Sequence, residues 1–316
     1  MGKHSWKSRE GVEADNSCIT TLPDGIILQI LNKSIDLKTL CFCYLVSKRF
    51  SSIVLQVDAI SFTAPCIDPN IPHKNTEGDV APSMPLLPII SLIMGNYFPS
   101  VLVFLSKFKR VKSLFFEIPS SGEIGMDNCC LFKWKVKFGN RFESFMFLWP
   151  NSISDKDGLY ITGNENDEKK FDISFQCLKD VMYRHSIFLY FIDNLPTLEY
   201  VSITDSGRRG RLSLSGKKLI EVKESLHSAS ETELNRVEVP AKVSKCCIPV
   251  LKLPVSGYVM NGVFVILMEM KDVNGGIDGL MNSEDGGFED KEEAALYTEA
   301  VKEILEKHKG MMQRLI

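Results

Sequence analysis

The chain has 316 residues, and its 37 Lys and Arg against 40 Asp and Glu give a formal net charge of −3. Apolar residues make up 44% and charged residues 24%, which is typical of a globular protein. This balance argues against a generally basic nucleic-acid-binding protein and against an acidic disordered chain. The length suggests about two domains and is sufficient to bury a core without disulfides or metals.

The nine cysteines are odd in number and include no C-x-x-C pair, which favours a reducing compartment over a disulfide scaffold. The charged start MGKHSWKSRE is not typical of a signal peptide. Residues 80–106 carry no charged side chain, but four prolines within them argue against a membrane helix. We therefore expect no membrane partner and a location in the cytoplasm and/or nucleus.

Residues 22–54 contain three short helical patterns. Pro23 stands in the first turn of the first helix, where its missing N–H costs nothing, and Asp36 and Ser47 suit the N-caps of the next two. Three helices of this length cannot bury their apolar side chains among themselves. The rest of the chain or a partner must cover the excess, so this segment is a candidate interaction site.

The same segment resembles the F-box. The family pattern is matched at Leu22-Pro23-Asp24, Ile30-Leu31, Asp36-Leu37 and Leu45-Val46-Ser47-Lys48-Arg49-Phe50. Phe50 stands where Trp is common, and Gly25 weakens the first helix. The chain also contains the segments SKRFSS, FKWKVKFGNRFESFMFL and LPVSGYVM. With these segments and the F-box pattern, it is similar to the plant auxin up-regulated F-box family.

This resemblance implies a substrate-receptor subunit of an SCF-type ubiquitin ligase. In that family the F-box docks on a Skp-type adaptor, which joins the receptor to a cullin, and the rest of the chain holds a protein substrate. The resemblance implies a non-catalytic subunit with no cofactor and no metal. We expect the adaptor-docking residues, or their direct support, to be Leu22, Pro23, Ile26, Ile30, Leu31, Leu37, Leu40, Leu45, Val46 and Phe50; which of them face the interior is left open.

Beyond the F-box, the first strong signal is a β-hairpin. Residues 133–138 (KWKVKF) alternate Lys with apolar residues, Gly139-Asn140 suits a two-residue turn, and residues 141–148 supply the partner strand. A helix is predicted over 175–192, ending at Asn194-Leu195-Pro196. Further strands are predicted at 111–118, 198–203, 211–215, 219–223, 237–239, 248–254 and 258–270, with a bulge or turn at Gly262.

Two segments of the sequence show a helix end followed by a turn and a strand, and their strands end at residues 118 and 203. This order resembles the edge of irregular leucine-rich repeats. The predicted fold class is therefore α+β, with a three-helix F-box followed by a mixed body that has a curved or leucine-rich-repeat-like sheet. The predicted divisions are a disordered N-terminus (1–20), the F-box (21–60), a Pro-rich linker (61–89), the body (90–270), an acidic Gly-rich loop (271–290) and a C-terminal amphipathic helix (291–316).

A second interpretation rests on the basic segment 107–141, in which Lys and Arg alternate with Phe and Trp. Such a face could bind protein or nucleic acid in an interaction protein outside any ligase, although a half-exposed strand shows the same alternation. Nucleotide-binding, nucleophile-elbow and zinc-protease motifs are absent from the sequence. His185 falls on the apolar face of a predicted helix, where a buried core histidine is the simpler interpretation than a ligand or general base.

Overall fold

A computed structural model describes residues 21–64, 98–118, 130–137, 141–154, 158–161, 166–205, 210–228, 241–269, 286–287 and 291–315. Within these ranges, helices and strands are mixed, as the α+β prediction requires. The predictions for the N-terminus (1–20), for residues 65–89 of the linker, for the hairpin turn and for a strand at 237–239 lie outside the described residues.

The helices are α1 (Asp24–Lys33), α2 (Leu37–Val46), α3 (Lys48–Val54), α4 (Phe98–Leu105), α5 (Asp167–Asn194), α6 (Gly216–Ser228) and α7 (Lys291–Glu303). The strands are β1 (Ala59–Thr63), β2 (Ser113–Ile118), β3 (Leu131–Lys137), β4 (Arg141–Trp149), β5 (Ser152–Ser154), β6 (Leu159–Ile161), β7 (Tyr200–Asp205), β8 (Arg211–Ser215), β9 (Lys242–Lys252), β10 (Val259–Glu269), β11 (Gly286–Gly287) and β12 (Gln313–Arg314). None of the helices in this part of the chain is long and apolar enough to cross a bilayer.

The second and third helices begin where the sequence predicts them, whereas Pro23 is the N-cap before α1 and not a residue of its first turn. The Asp36 carboxylate accepts a hydrogen bond from the backbone N–H of Thr39 at 2.9 Å, and the Ser47 hydroxyl accepts one from Phe50 N–H at 3.2 Å. Each side chain satisfies an N–H that lacks a partner within its helix. Both predicted N-caps are therefore confirmed.

The strands form one mixed sheet in the order β1-β2-β7-β8-β11-β3-β4-β10-β5-β6, with β9 along the other side of β10 and β12 on β9. β1, β2 and β7 are parallel neighbours, whereas β3 and β4 form the predicted antiparallel hairpin. The two segments that share the helix–turn–strand order thus supply adjacent parallel strands. The two glycines of β11, which lie in the predicted acidic loop, pair with β8 and β3 and join the two parts of the sheet.

Two apolar clusters lie on opposite faces of the sheet. One contains α5 and the side chains of Phe145, Phe147 and Trp149 from β4. The other contains α7 and the alternate β4 residues Met146 and Leu148. This alternation is what a strand covered on both faces requires. Residues from α1, α2 and α3 belong to the first cluster, so the helices share one core with the body.

Two predicted elements have different structures. Residues 219–223 were predicted as a strand but lie in α6, because Leu219 and Val222 are buried at helical spacing while Ile220 is exposed. The C-terminal helix predicted over 291–316 ends at Glu303 and continues as a π-helical turn (Ile304–His308), a 3-10 turn (Lys309–Met311) and β12. Gly310 lies in the 3-10 turn, where its low helix propensity favours the end of the helix.

Gly262 lies inside β10 and not at a break in it. The strand keeps its register with β9 on both sides of this residue, and Gly262 has a φ of +58°. A Cβ atom there would lie 2.8 Å from Cγ of Asn151, whose side-chain oxygen accepts a hydrogen bond from the buried ammonium of Lys170. Glycine is therefore required both by the backbone conformation and by the packing.

Candidate docking surface on the first helices

The ten predicted docking residues differ in their exposure to solvent. Four of them are buried, one (Leu22) is half-buried, and five are exposed. The buried residues support the helices from inside and cannot touch a partner. The buried set is Leu31, Leu37, Leu40 and Phe50, and the exposed set is Pro23, Ile26, Ile30, Leu45 and Val46.

Helix α1 is apolar on two sides. Ile27 and Leu31 face the core, whereas Ile26 and Ile30 face outward, with Ile30 50% exposed. Each pair is spaced by four residues and so lies along one side of the helix. An amphipathic helix normally carries polar residues on its outer side, and the outward apolar pair Ile26 and Ile30 departs from this pattern.

Helix α2 shows the same arrangement with larger side chains. Leu37 and Leu40 are buried, whereas Phe42, Leu45 and Val46 project outward, and Leu45 is 76% exposed. The outward residues follow the i, i+3, i+4 spacing of one helical side. Phe42, which is 63% exposed, was not among the predicted residues. Its spacing from Leu45 and Val46 is the signal that could have identified it.

The six exposed apolar residues of α1, its N-cap and α2 are called the docking face below. They are Pro23, Ile26, Ile30, Phe42, Leu45 and Val46.

An arginine of the F-box motif fixes the start of α1. The Arg49 guanidinium donates hydrogen bonds to the Asp24 carboxylate, at 2.7 Å from Nε, and to the backbone carbonyl of Leu22. Because both partners flank Pro23, this contact holds one end of the docking face against the start of α3. Within Lys48-Arg49-Phe50, Arg49 thus connects α3 to the start of α1, and Phe50 is buried in the core.

The body packs against the other side of α2. The ring of Tyr44 makes an edge contact with Phe104 of α4 at 5.3 Å between centroids, and the Lys107 ammonium lies 5.3 Å from the Tyr44 centroid. A helix turns by about 100° per residue, so Tyr44 lies opposite Phe42. The contacts with α4 therefore orient α2 and leave the docking face uncovered by them.

The basic segment 107–141 is not one continuous strand face in the described structure. The first group of basic residues (107–112) comes just before β2, and the second (133–141) lies on β3 and at the start of β4. In the sheet, β7, β8 and β11 lie between β2 and β3. Within the first group, Lys112 pairs with Glu199 at 3.0 Å, and Lys109 donates to the carbonyl of Ser106. Of the second group, the side chains of Lys135, Lys137 and Arg141 lie outside the described part.

His185 lies in the core, as the simpler interpretation has it. Its ring is stacked on Phe188, and burial lowers its pKa from 6.5 to about 4. Among the residues that the structure describes, no group of three or more His, Cys, Asp or Glu side chains could hold a metal ion.

Comparison with known proteins finds relatives that favour the first of the two interpretations. F-box protein AUF2 of Arabidopsis thaliana is 25% identical over 276 residues, which cover 78% of this chain and 83% of AUF2. Over most of its length the chain is thus similar to F-box proteins, including members of the auxin up-regulated family. The alignment covers far more than residues 22–54, so the similarity of this chain to AUF2 extends into the body.

Two further relatives from the same plant agree with this. F-box protein At4g18380 is 26% identical over 313 residues, which cover 78% of this chain and 81% of the relative. F-box protein AUF1 is 23% identical over 248 residues, which cover 68% of this chain and 73% of AUF1. No family model matches the chain. No solved structure matches it either.

Proposed function

We propose that this chain is the substrate-receptor subunit of an SCF-type ubiquitin ligase. The docking face binds a Skp-type adaptor, the adaptor connects the receptor to a cullin, and the body holds a protein substrate in the cytoplasm and/or nucleus. The covalent chemistry belongs to other subunits, and this chain supplies proximity and orientation. The F-box names of the relatives support the general assignment.

The docking face is the observation that carries the adaptor-binding part of the proposal. Its side chains extend from two helices whose opposite sides are already packed on the core. Fully burying one large apolar side chain contributes about 1.5–3 kcal/mol, so a partner that covers several of them gains substantial affinity. Contiguous exposed apolar surface on a small helical unit is typical of such a site.

The body offers a separate surface for the substrate. β1, β2 and β7 are parallel, and the side of each that faces away from the core carries half-buried or exposed residues, except that Ser202 of β7 is buried. The arrangement supports the proposal of a leucine-rich-repeat-like sheet edge within the body. A receptor with adaptor and substrate on different surfaces can hold both partners at once.

The adaptor-binding proposal is tested by a charge placed on the docking face. Ile30→Asp in the full chain should weaken binding to a purified plant Skp-type adaptor by at least about tenfold, because a carboxylate would be buried against apolar surface. Ile220→Asp is the matched control, since Ile220 also lies on a helix and is 55% exposed, against 50% for Ile30. Isothermal titration calorimetry measures both affinities.

The comparison has a clear contrary outcome. If Ile30→Asp binds the adaptor as tightly as Ile220→Asp and the wild type do, the docking face is not the adaptor site. Val46→Asp against Val103→Asp repeats the test on α2, with a control valine of equal exposure on α4. Circular dichroism melts establish that each variant is folded.

A further inference from the structure

One face of the sheet carries a polar and aromatic cluster that the adaptor-binding proposal does not use. On β2, β7 and β8, the residues facing the core are buried, and those facing the other side are mostly half-buried. Register places Phe115, Ser202 and Ser213 in one row across these strands, and Ser113, Tyr200 and Ser215 in the next row. This side is called the open face below.

Arg211 lies across the open face and contacts hydroxyl groups. Its Nε donates to Oγ of Ser202 at 3.0 Å, and its terminal nitrogen donates to the hydroxyl of Tyr200. The Ser213 hydroxyl donates to the same Tyr200 oxygen at 3.1 Å. The guanidinium is thereby held in one position on the sheet, with the further N–H groups of its five still able to donate.

The charge of Arg211 is not balanced by an acidic side chain in the described part of the chain. Lys112, by contrast, forms an ion pair with Glu199 at 3.0 Å. Glu117 is also on the open face, but it belongs to β2, and β7 separates β2 from β8. Burial by itself would raise the pKa of the Tyr200 phenol, yet hydrogen bonds from Ser213 and Ser202 and the charge of Arg211 lower it. The cluster thus favours negative charge.

Two neighbours of Arg211 on the sheet bear on what it can bind. On the next strand, its partner in the β11–β8 pairing is Gly287. On the other side, the rings of Tyr200 and Phe115 lie 5.4 Å apart and are half-buried, so they offer an apolar platform. A cation beside an aromatic platform suits an acidic residue that is flanked by apolar ones.

We propose that the open face binds an extended segment of the protein substrate through an Asp or Glu carboxylate held by Arg211. Arginine and carboxylate form two parallel charge-assisted hydrogen bonds, which give direction as well as affinity. A single guanidinium matches the single charge of a carboxylate better than the nearly double charge of a phosphate. Apolar neighbours of the acidic residue contact the Phe115 and Tyr200 rings. This inference rests on the receptor function proposed above.

The experiment uses a library of random 12-residue peptides displayed on phage and the full chain as bait. Peptides selected on the wild type should share an Asp or Glu beside apolar residues. One such peptide, titrated by fluorescence anisotropy, should bind Arg211→Gln at least about tenfold more weakly. Arg110→Gln is the matched control, because Arg110 is exposed on the turn after α4 and should leave the affinity unchanged. Arg211→Lys should retain part of the affinity, because it keeps the charge and loses the planar fork.

A double-mutant cycle makes the assignment specific. Replacing the acidic residue of the peptide by its amide should weaken binding to the wild type tenfold and leave binding to Arg211→Gln unchanged. The proposal is overturned if the selected peptides bind Arg211→Gln and Arg211→Lys as tightly as the wild type, or if they show no preference for acidic residues. It is also overturned if phosphoserine in place of the acidic residue binds more tightly and Arg211→Gln abolishes that gain.

Adaptor binding is measured on the same variants. Arg211→Gln should bind the Skp-type adaptor as the wild type does, because Arg211 is not part of the docking face. Loss of peptide binding with intact adaptor binding therefore concerns the open face alone. Failure of the Ile30 test would instead contradict the docking proposal and leave the peptide result standing.

Discussion

At the scale of single residues, His185 links stability to pH. Burial lowers its pKa from 6.5 to about 4, and neither ring nitrogen has a hydrogen-bonding partner among the described residues. The unfolded chain therefore binds a proton more readily than the folded chain between these two values. The contribution of the neutral ring is complete above pH 6.5 and is lost as the pH falls toward 4.

We expect the wild type to lose about 2 kcal/mol more stability than His185→Phe when the pH falls from 7.5 to 5. Phenylalanine has a similar ring and no titrating group, so it removes the pH-dependent contribution and keeps much of the volume. Urea unfolding of both proteins at the two pH values measures the difference. Equal losses in the two proteins would show that His185 is accessible to protons in the folded state.

The sequence could identify the docking segment but could not divide its residues. Ile26 and Ile27 are adjacent, equally apolar and equally compatible with the helix, yet only Ile27 is buried. The side that faces inward is set by β1 and α4, which are distant in sequence, and no local pattern encodes that choice. Phe42 was not among the predicted residues, although its spacing from Leu45 and Val46 places all three on one side of α2.

At the scale of elements, the N-cap of α2 has two connections. Asp36 accepts hydrogen bonds from Thr39 N–H at 2.9 Å and from the Thr39 hydroxyl at 2.8 Å, and these bonds lower its pKa from 3.8. The backbone beside it is tied to β1, because Ser61 N–H donates to the Ile35 carbonyl at 2.7 Å. The cap thus fixes both the start of α2 and its position on the sheet.

Asp36→Ala should reduce the free energy of unfolding by about 1 kcal/mol, the usual cost of losing an N-cap. Asp36→Asn is the matched control, because asparagine caps helices as well as aspartate does. Chemical denaturation at pH 7 compares the three proteins. The same loss in both variants would indicate that the negative charge, and not the hydrogen bond from Thr39, stabilises α2.

Local signals predicted the elements that local interactions determine. Strict alternation and a Gly-Asn turn sufficed for the β3–β4 hairpin, and caps sufficed for α2 and α3. Residues 219–223 carry β-branched and apolar residues that favour a strand, but Gly216, with a φ of +57°, turns the chain directly from β8 into α6. A left-handed glycine of this kind is not visible from propensity.

At the scale of the whole molecule, the first three helices and the body share one core. Ile27, Leu40 and Val54 belong to the same apolar cluster as Leu114 of β2 and Val201 of β7. The predicted boundary at residue 60 falls inside β1, which is paired with β2 over its whole length. Pairings between distant segments, such as β1 with β2 and β2 with β7, could not be deduced from the sequence because the paired strands are far apart along the chain.

This shared core predicts how the protein responds to truncation. A chain that begins at residue 61 lacks α1, α2, α3 and the first part of β1, so the apolar side chains of β2 and α4 that pack against them become exposed to water. We expect such a chain to show no cooperative thermal transition or one lowered by at least about 10 °C, with increased binding of an apolar dye.

Ile30→Asp, which changes only the docking face, should melt within a few degrees of the wild type. A truncated chain that unfolds cooperatively at the wild-type temperature would show that the helices and the body are independent units. Because truncation is expected to unfold the body as well, loss of adaptor binding in the truncated chain would not locate the adaptor site. Point substitutions on the docking face keep the shared core intact, and they are therefore the variants from which adaptor binding and substrate binding can be assigned separately.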